Sequence, residues 1–153
     1  MVVVDSSGWI EFFTDGPKAD AYARYLKDLQ SVATPAVVVY EVYKKIRRER
    51  GEEMAKLCVA QMQKTSGIAI DQDLALRAAD LSLKFSLAMA DSLVLATARA
   101  LGAELITGGR LSHWEVVRDI RLMGGNRGFK SRDRKVQTVI VGDWASVHAS
   151  HRD

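Results

Sequence analysis

Short β-branched runs alternate along the chain with longer stretches whose apolar residues recur at helical spacing. The first run, Val2 to Val4, has no polar alternation and is typical of a parallel strand that is covered on both faces. Comparable runs follow in "SVATP", "GIAI", "AELIT" and "VQTVIV", and helical stretches separate most of them. This order predicts right-handed crossovers and an α/β fold in which a central parallel sheet has helices on both faces.

Two of the helical stretches precede residue 51. The first follows the turn at 15–17 and has apolar residues at helical spacing through residue 29. Thr34 and Pro35 then form a favourable helix start, because the hydroxyl can cap free amides and proline suits the first helical position. The second helix is predicted from about 36 to 50 and ends at Gly51.

Three further helices are predicted between residues 52 and 102. In the stretch "EEMAKLCVAQMQK", one side is predicted to be buried and carries Met54, Leu57, Cys58 and Met62. Asp71 can cap the next helix, which extends to Phe85. The stretch "MADSLVLATARALG" forms the last of the three helices, which stops at Gly102.

The composition is that of an ordinary globular protein. The 153 residues suffice to bury a continuous core, and we expect them to form a single domain. Cys58 is the only cysteine, which excludes an internal disulfide and a cysteine zinc site and favours a buried core role in a reducing cytosol. No apolar stretch nears the roughly 20 residues that span a bilayer, and the N-terminus lacks signal-peptide features, so we expect a cytoplasmic protein without membrane association.

Positive charge is concentrated in an atypical basic segment at about 110–135. This segment has eight Lys or Arg against three acids, so it carries +5 in a chain whose net charge is +3. Glycines are frequent there and no periodicity is sustained, which predicts an irregular surface segment. The excess of cations favours nucleic-acid contact and a merely solvated surface about equally.

Three carboxylates stand in apolar surroundings. Asp5 directly follows the first strand, and ligands of an open parallel sheet bind beyond the carboxyl ends of its strands. Glu41 lies on the apolar surface of the second predicted helix, and Asp91 stands alone in "SLAMADSLVLATA". Burying an unpaired carboxylate costs several kcal/mol, so each of the three needs a partner.

Each of these acids has a structural interpretation when it is taken singly. Asp5 can end a strand, Glu41 can pair with a nearby lysine, and Asp91 can cap its helix. A divalent cation is a partner that serves all three together, because Mg2+ and Mn2+ prefer carboxylate oxygens, activate water and offset the charge of a phosphodiester. The set therefore favours metal-dependent phosphoryl hydrolysis, with Asp5, Glu41 and Asp91 as metal ligands and catalytic residues.

The stretches "VVVDSSGWIEFF", "TPAVVVYEVYKKIRRERG" and "LAMADSLVLATARALGAELITG" together resemble the PIN-domain family, and within it the VapC-type toxins of prokaryotic toxin–antitoxin pairs. The resemblance covers about residues 1–109. It implies a three-layer α/β/α sandwich and a magnesium- or manganese-dependent endoribonuclease that cleaves RNA through a carboxylate cluster at the three acids. It also implies a homodimer and a cognate antitoxin that inhibits the enzyme by occupying the active-site groove.

One position departs from the family pattern. Where the family normally has a fourth acid after the strand "AELIT", this chain has Thr107-Gly108-Gly109, and glycine has no side chain to bind a metal. Three alternatives follow: three carboxylates suffice, Glu115 or Asp119 takes the fourth position, or the site is inactive. The last alternative corresponds to a PIN domain that binds RNA or a protein partner without cleavage.

Residues near the three acids are candidates for supporting roles. Ser6 and Thr107 are the auxiliary candidates, since a hydroxyl beside Asp5 can orient that carboxylate. Cations one or two turns after Glu41 can contact RNA phosphates or simply form the solvated face of the helix. These candidates for RNA contact are Lys44, Lys45 and Arg48. An acid at a strand end is also compatible with a receiver-like domain that accepts a phosphoryl group.

Overall fold

Strands and helices alternate along the chain as the hydrophobic pattern predicts. The computed structural model describes residues 1–108 and 138–140. Its strands are β1 (Val2–Val4), β2 (Val32–Pro35), β3 (Ser66–Ile68), β4 (Glu104–Thr107) and β5 (Thr138–Ile140). Its helices are α1 (Ser6–Thr14), α2 (Ala19–Ala23), α3 (Ala36–Arg50), α4 (Glu52–Met62), α5 (Gln72–Phe85) and α6 (Met89–Leu101).

The five strands form one parallel sheet in the order β3-β2-β1-β4-β5. The central strand β1 pairs with β2 on one side, where Val2 lies opposite Val32, and with β4 on the other, where Val4 lies opposite Ile106. The carboxyl ends of parallel strands share one edge of the sheet, so Asp5 and Thr107 come to the same edge. The predicted α/β/α sandwich with a central parallel sheet is confirmed.

Helix α6 is the central helix of the core. Its residues 92–98 are all buried, so neighbouring elements cover it on every side. It packs on α5 and α3 and against strands β1, β2 and β4. Asp91 directly precedes this buried run, and the core therefore fixes the position of its backbone.

Gly8 allows a close approach between α1 and Tyr22. A Cβ at this position would lie 2.5 and 2.6 Å from two ring carbons of Tyr22 and 2.8 Å from Cγ1 of Val4. Tyr22 is itself fully packed, with 1% of its surface exposed. The ring therefore cannot move away without loss of core contacts.

We expect Gly8→Ala to lower the free energy of unfolding by about 1–3 kcal/mol, because overpacking outweighs the better helix propensity of alanine. Urea unfolding measures the change. Gly67→Ala is the control, since a Cβ at Gly67 would meet nothing within 4 Å. Equal midpoints for the two variants would contradict the predicted clash.

The prediction of one helix through residue 29 is wrong for the part after Ala23. The regular helix ends at Ala23, and the amide of Leu26 bonds to the carbonyl of Ala23 at 3.1 Å, which tightens the chain. A 3-10 turn at Leu29–Ser31 follows, and Asp28 caps it by accepting from the amide of Gln30. Leu26 is nevertheless buried in the core, so a residue at helical spacing can be buried here without a continuous helix.

The helix predicted from 36 to 50 is confirmed, but its predicted start is wrong. Thr34 is a buried residue of β2, and its hydroxyl forms a hydrogen bond with the Thr65 hydroxyl at 2.7 Å instead of capping the helix. Pro35 is the N-cap residue and provides no side-chain cap. Tertiary pairing of β2 with β3 therefore determines the role of Thr34.

The buried face predicted for α4 is only half correct. Cys58 and Met62 are buried as predicted, whereas Met54 and Leu57 are exposed. The third buried residue of the helix is Ala55, whose small side chain suits close packing of α4 on α3. The core interpretation of Cys58 is confirmed, and burial raises the pKa of its thiol.

Several predictions fall on residues 109–137 and 141–153, which lie outside the described residues. They concern the basic segment at 110–135, Gly109, and the substitutes Glu115 and Asp119, so the alternatives for the fourth acidic position stay open. The single-domain organisation also stays a prediction.

In the described part of the chain, no single helix is long and apolar enough to cross a membrane. Helices α5 and α6 together have the length and composition of a membrane span, but the pair is bent by 115°.

Candidate functional site

Asp5 lies where β1 ends and α1 begins. It is the N-cap residue of α1, and its Oδ1 accepts a hydrogen bond from the backbone amide of Ser6 at 2.7 Å. Only 5% of its surface is exposed. The carboxylate is thus buried at the edge of the sheet where ligands of parallel α/β folds bind.

Two hydroxyls hold the second oxygen of Asp5. Thr107, the fully buried last residue of β4, donates to Oδ2 at 3.0 Å, and Ser7 donates to the same oxygen at 3.1 Å. The Ser6 hydroxyl lies 3.5 Å from Oδ1, which is a long contact. Both auxiliary candidates, Ser6 and Thr107, therefore lie beside Asp5, and the carboxylate has donors on both oxygens that fix its orientation.

Glu41 shares an electrostatic environment with the other two acids. Burial raises the pKa of Glu41 above its ordinary value, and the negative charges of Asp5 and Asp91 raise it further. A hydrogen bond with the Ser6 hydroxyl and the positive charge of Lys44 lower the same pKa. No ion pair within residues 1–108 includes Glu41, so the lysine-pair interpretation of this residue is not supported there.

Asp91 lies in the first turn of α6 and is half-buried. The N-cap residue of this helix is Ala88, so the capping role considered for Asp91 is wrong. A carboxylate in the first turn still interacts favourably with the helix dipole. The charge of Asp91 raises the pKa of Glu41, so Asp91 lies in the same part of the molecule as Glu41.

Tyr22 also lies next to the site, although it was not among the residues predicted to do so. The Tyr22 hydroxyl interacts with the Ser7 hydroxyl, and Ser7 donates to Asp5. Ser7 therefore lies between Tyr22 and Asp5. Burial raises the pKa of Tyr22, the bond with Ser7 lowers it, and the charges of Asp5 and Glu11 raise it. The available signal was that a buried tyrosine hydroxyl needs a partner.

The donor chemistry of the three acids suits Mg2+ or Mn2+, and a cation would relieve the repulsion that raises the pKa of Glu41. Across residues 1–108, however, no three or more Asp, Glu, His or Cys side chains are placed to hold a metal ion jointly. Mg2+ usually retains several waters and binds through one or two carboxylates plus substrate phosphates. The arrangement therefore fits a cation with few protein ligands, and Asp5, Glu41 and Asp91 as a joint ligand set stay a prediction.

The family model for the PIN domain matches residues 2–111 of the sequence, which is more than half of the chain. The chain belongs to the PIN-domain family. The predicted family membership is thus confirmed. Proteins of this family are generally nucleases and typically use divalent metals. No curated protein matches the chain.

Solved structures of toxins share the fold of this PIN domain. A toxin–antitoxin complex from Klebsiella pneumoniae matches with a TM-score of 0.62 and 22% identity, over 74% of this chain and 92% of that chain. VapC20 of Mycobacterium tuberculosis, a toxin that cleaves the sarcin–ricin loop, matches with a TM-score of 0.59 and 18% identity, over 68% and 85%. VapBC2 of Rickettsia felis bound to promoter DNA matches with a TM-score of 0.63 and 12% identity, over 92% and 98%. At these identities, the likeness shows the fold alone.

The three candidates for RNA contact in this PIN domain differ in their partners. Lys45 forms an ion pair with Glu49 at 2.6 Å, and Arg48 approaches the same carboxylate at 3.4 Å. Lys44 forms no ion pair within residues 1–108, and its Nζ lies 3.5 Å from the Tyr40 hydroxyl. Among the three, Lys44 is thus the cation with the fewest competing acids.

Thr107→Val is expected to lower metal affinity or RNA cleavage by about 10- to 100-fold, the usual effect of removing a hydrogen-bond partner of a ligating carboxylate. In this variant, Oδ2 of Asp5 loses the hydrogen bond from Thr107 and keeps only the one that the Ser7 hydroxyl donates. Thr97→Val is the control, because Thr97 is equally buried but donates to the carbonyl of Leu93 within α6. Cleavage assays at several Mn2+ concentrations measure the effect, and equal losses in the two variants would contradict it.

Proposed function

We propose that this PIN domain is a metal-dependent endoribonuclease and the toxin component of a toxin–antitoxin pair. The observation that carries the proposal is the buried Asp5 carboxylate, which is held by donors on both oxygens beside two further acids. Membership of a family of nucleases supports catalysis. The fold shared with VapC toxins supports the role as a toxin.

In this proposal, Asp5, Glu41 and Asp91 would supply carboxylate oxygens to one or two Mg2+ or Mn2+ ions, each held by one or two of the acids together with water and substrate phosphate. When bound, the ions activate water and offset the charge of the scissile phosphodiester. Ser7 and Thr107 keep the Asp5 carboxylate in one orientation. Burial and the charges of Asp5 and Asp91 raise the pKa of Glu41, so binding of a cation there would be coupled to loss of its proton. Attack by water requires no covalent enzyme intermediate.

The proposed partners are an RNA substrate, a cognate antitoxin and a second copy of the chain. Support for the antitoxin comes from neighbours that are toxin–antitoxin complexes, including VapBC of Salmonella typhimurium bound to DNA. The homodimer rests on the family resemblance. Light scattering of the purified protein tests it, because a monomer at micromolar concentration would contradict a stable dimer.

Incubation of the purified protein with labelled RNA tests the nuclease directly. We expect cleavage with Mn2+ or Mg2+ and none with a chelator. The RNA set includes hairpins, transfer RNA and ribosomal fragments, because the substrate is defined only as RNA. Intact RNA under every metal condition would contradict the proposed activity.

A PIN domain that binds RNA or a protein partner without cleavage is the second candidate. It is favoured by the lack, across residues 1–108, of a group of three side chains placed to hold a metal. Gly109 in place of the fourth acid points the same way. Calorimetry separates the candidates, because this one predicts no Mg2+ or Mn2+ binding at millimolar concentration together with retained RNA or partner binding.

A further inference from the structure

Tyr40 is an exposed aromatic residue directly before Glu41 in α3. Its exposed fraction is 61%, so little packing accounts for the ring. Tyrosine rings in solvent beside a nucleic-acid site provide a surface on which unpaired bases stack. The position of Tyr40 on the rigid helix that carries Glu41 would hold such a base beside the acids.

Lys44 lies one helical turn after Tyr40, beside its ring. Its Nζ lies 5.5 Å from the centre of the ring and 3.5 Å from the Tyr40 hydroxyl. Its positive charge also acts on Glu41. The Lys44 ammonium thus lies beside the aromatic ring, on the helix that carries Glu41.

Three other cations that follow Glu41 in α3 already have acidic partners. Lys45 and Arg48 both pair with Glu49, and Arg47 pairs with Glu52 at 3.2 Å. Within residues 1–108, Lys44 has no such acidic partner. Its charge is therefore available to a phosphate, which is the group that lies next to every base of a nucleic-acid strand.

We propose that Tyr40 and Lys44 form a nucleotide subsite, in which an unpaired RNA base stacks on Tyr40 and its neighbouring phosphate binds Lys44. The identity of the ligand as RNA rests on the proposed function. A base inside a duplex is covered on both faces by its neighbours, and RNA duplexes are recognised mainly by shape. The subsite therefore selects loops, bulges or ends over stems.

The test measures RNA binding in the Asp5→Asn background, so that cleavage does not consume the probe. Two hairpin RNAs carry a single 2-aminopurine, one in the loop and one in the stem. We expect protein binding to quench the loop probe more than the stem probe, because stacking on Tyr40 quenches 2-aminopurine. Tyr40→Leu should abolish this quenching and weaken loop binding by about 5- to 150-fold, whereas Tyr40→Phe should retain both.

Salt dependence tests the lysine. For a single-stranded ligand, Lys44→Ala should reduce the slope of log affinity against log salt by about 0.7, the loss of one phosphate contact. Lys56→Ala is the matched control, because its ammonium on α4 pairs with Glu52 at 2.8 Å and Lys56 is not a candidate for RNA contact. Leu57→Ala controls for the loss of an equally exposed apolar side chain, which is 64% exposed on α4.

The subsite is overturned if Tyr40→Leu and Tyr40→Phe bind and quench alike, if both probes respond equally, or if the protein binds neither RNA. Cleavage by the unsubstituted protein is measured separately. Quenching that depends on Tyr40 without any cleavage would support the subsite and contradict the nuclease. Equal cleavage by the unsubstituted protein and by Tyr40→Leu would support the nuclease and contradict the subsite.

Discussion

Asp5→Asn is expected to lower RNA cleavage by about 100-fold or more while the protein stays folded. Loss of a partner that orients a ligating carboxylate usually costs about 10- to 100-fold, so loss of the carboxylate itself should cost more. The amide has the same shape, its oxygen can still accept from the Ser6 amide, and the hydroxyls of Ser7 and Thr107 can rotate to accept from its nitrogen. Initial rates with saturating Mn2+ and thermal unfolding measure the two effects.

Asp71→Asn is the matched control for this substitution. Asp71 is also the N-cap residue of a helix, and its Oδ1 accepts from the amide of Leu74 at 2.8 Å. Asparagine and aspartate are about equally good N-caps, so neither variant should lose much stability. If both variants cleave RNA at the same rate, Asp5 acts only as a cap and the nuclease proposal fails at its central residue.

Glu41→Gln is expected to raise the melting temperature at neutral pH and to lower cleavage by about 100-fold or more. The folded protein holds the proton of Glu41 more tightly than the unfolded chain, because burial and the charges of Asp5 and Asp91 raise its pKa. The contribution of Glu41 to stability is then fully present below its ordinary pKa of 4.5 and is lost as the pH rises through the raised folded value. Glutamine removes the charge that destabilises the fold at neutral pH.

Glu49→Gln provides a control of opposite sign in the same helix. The hydrogen bond from Lys45 lowers the pKa of Glu49, so its charged form is favoured in the folded protein and glutamine should give no gain at neutral pH. Thermal unfolding between about pH 4 and pH 8 distinguishes the two variants. Mn2+ should also stabilise the unsubstituted protein more than Glu41→Gln. Equal shifts in both variants would contradict the assigned origin of the Glu41 pKa.

Local signals in the sequence predict much of the fold. Gly51 and Gly102 mark the ends of α3 and α6, and Asp71 caps α5 as predicted. Four of the strands lie in short apolar runs beside helical stretches, whereas β3 (Ser66–Ile68) only overlaps the run "GIAI" from which it was predicted. Parallel pairing then follows from the alternation, and it brings Asp5 and Thr107 to one edge.

Features that depend on contacts between distant elements could not be predicted in this way. Apolar spacing in α4 is compatible with burial of either Leu57 or Ala55, and only the approach of α3 selects the smaller residue. Tyr22 approaches Ser7 across α1, where a Cβ at Gly8 would clash with the ring. For the candidate site, the sequence predicts which acids stand in apolar surroundings, but rotamers and burial determine how their carboxylates face one another.

The bond between Thr107 and Asp5 joins positions 102 residues apart in the chain. During synthesis, Asp5 leaves the ribosome long before Thr107 is made, and until then only Ser6 and Ser7 in α1 can donate to it. Closing so long a loop costs chain entropy that pairing of β1 with β4 must offset. The Asp5 carboxylate is therefore fully oriented only after β4 has been translated and has paired with β1.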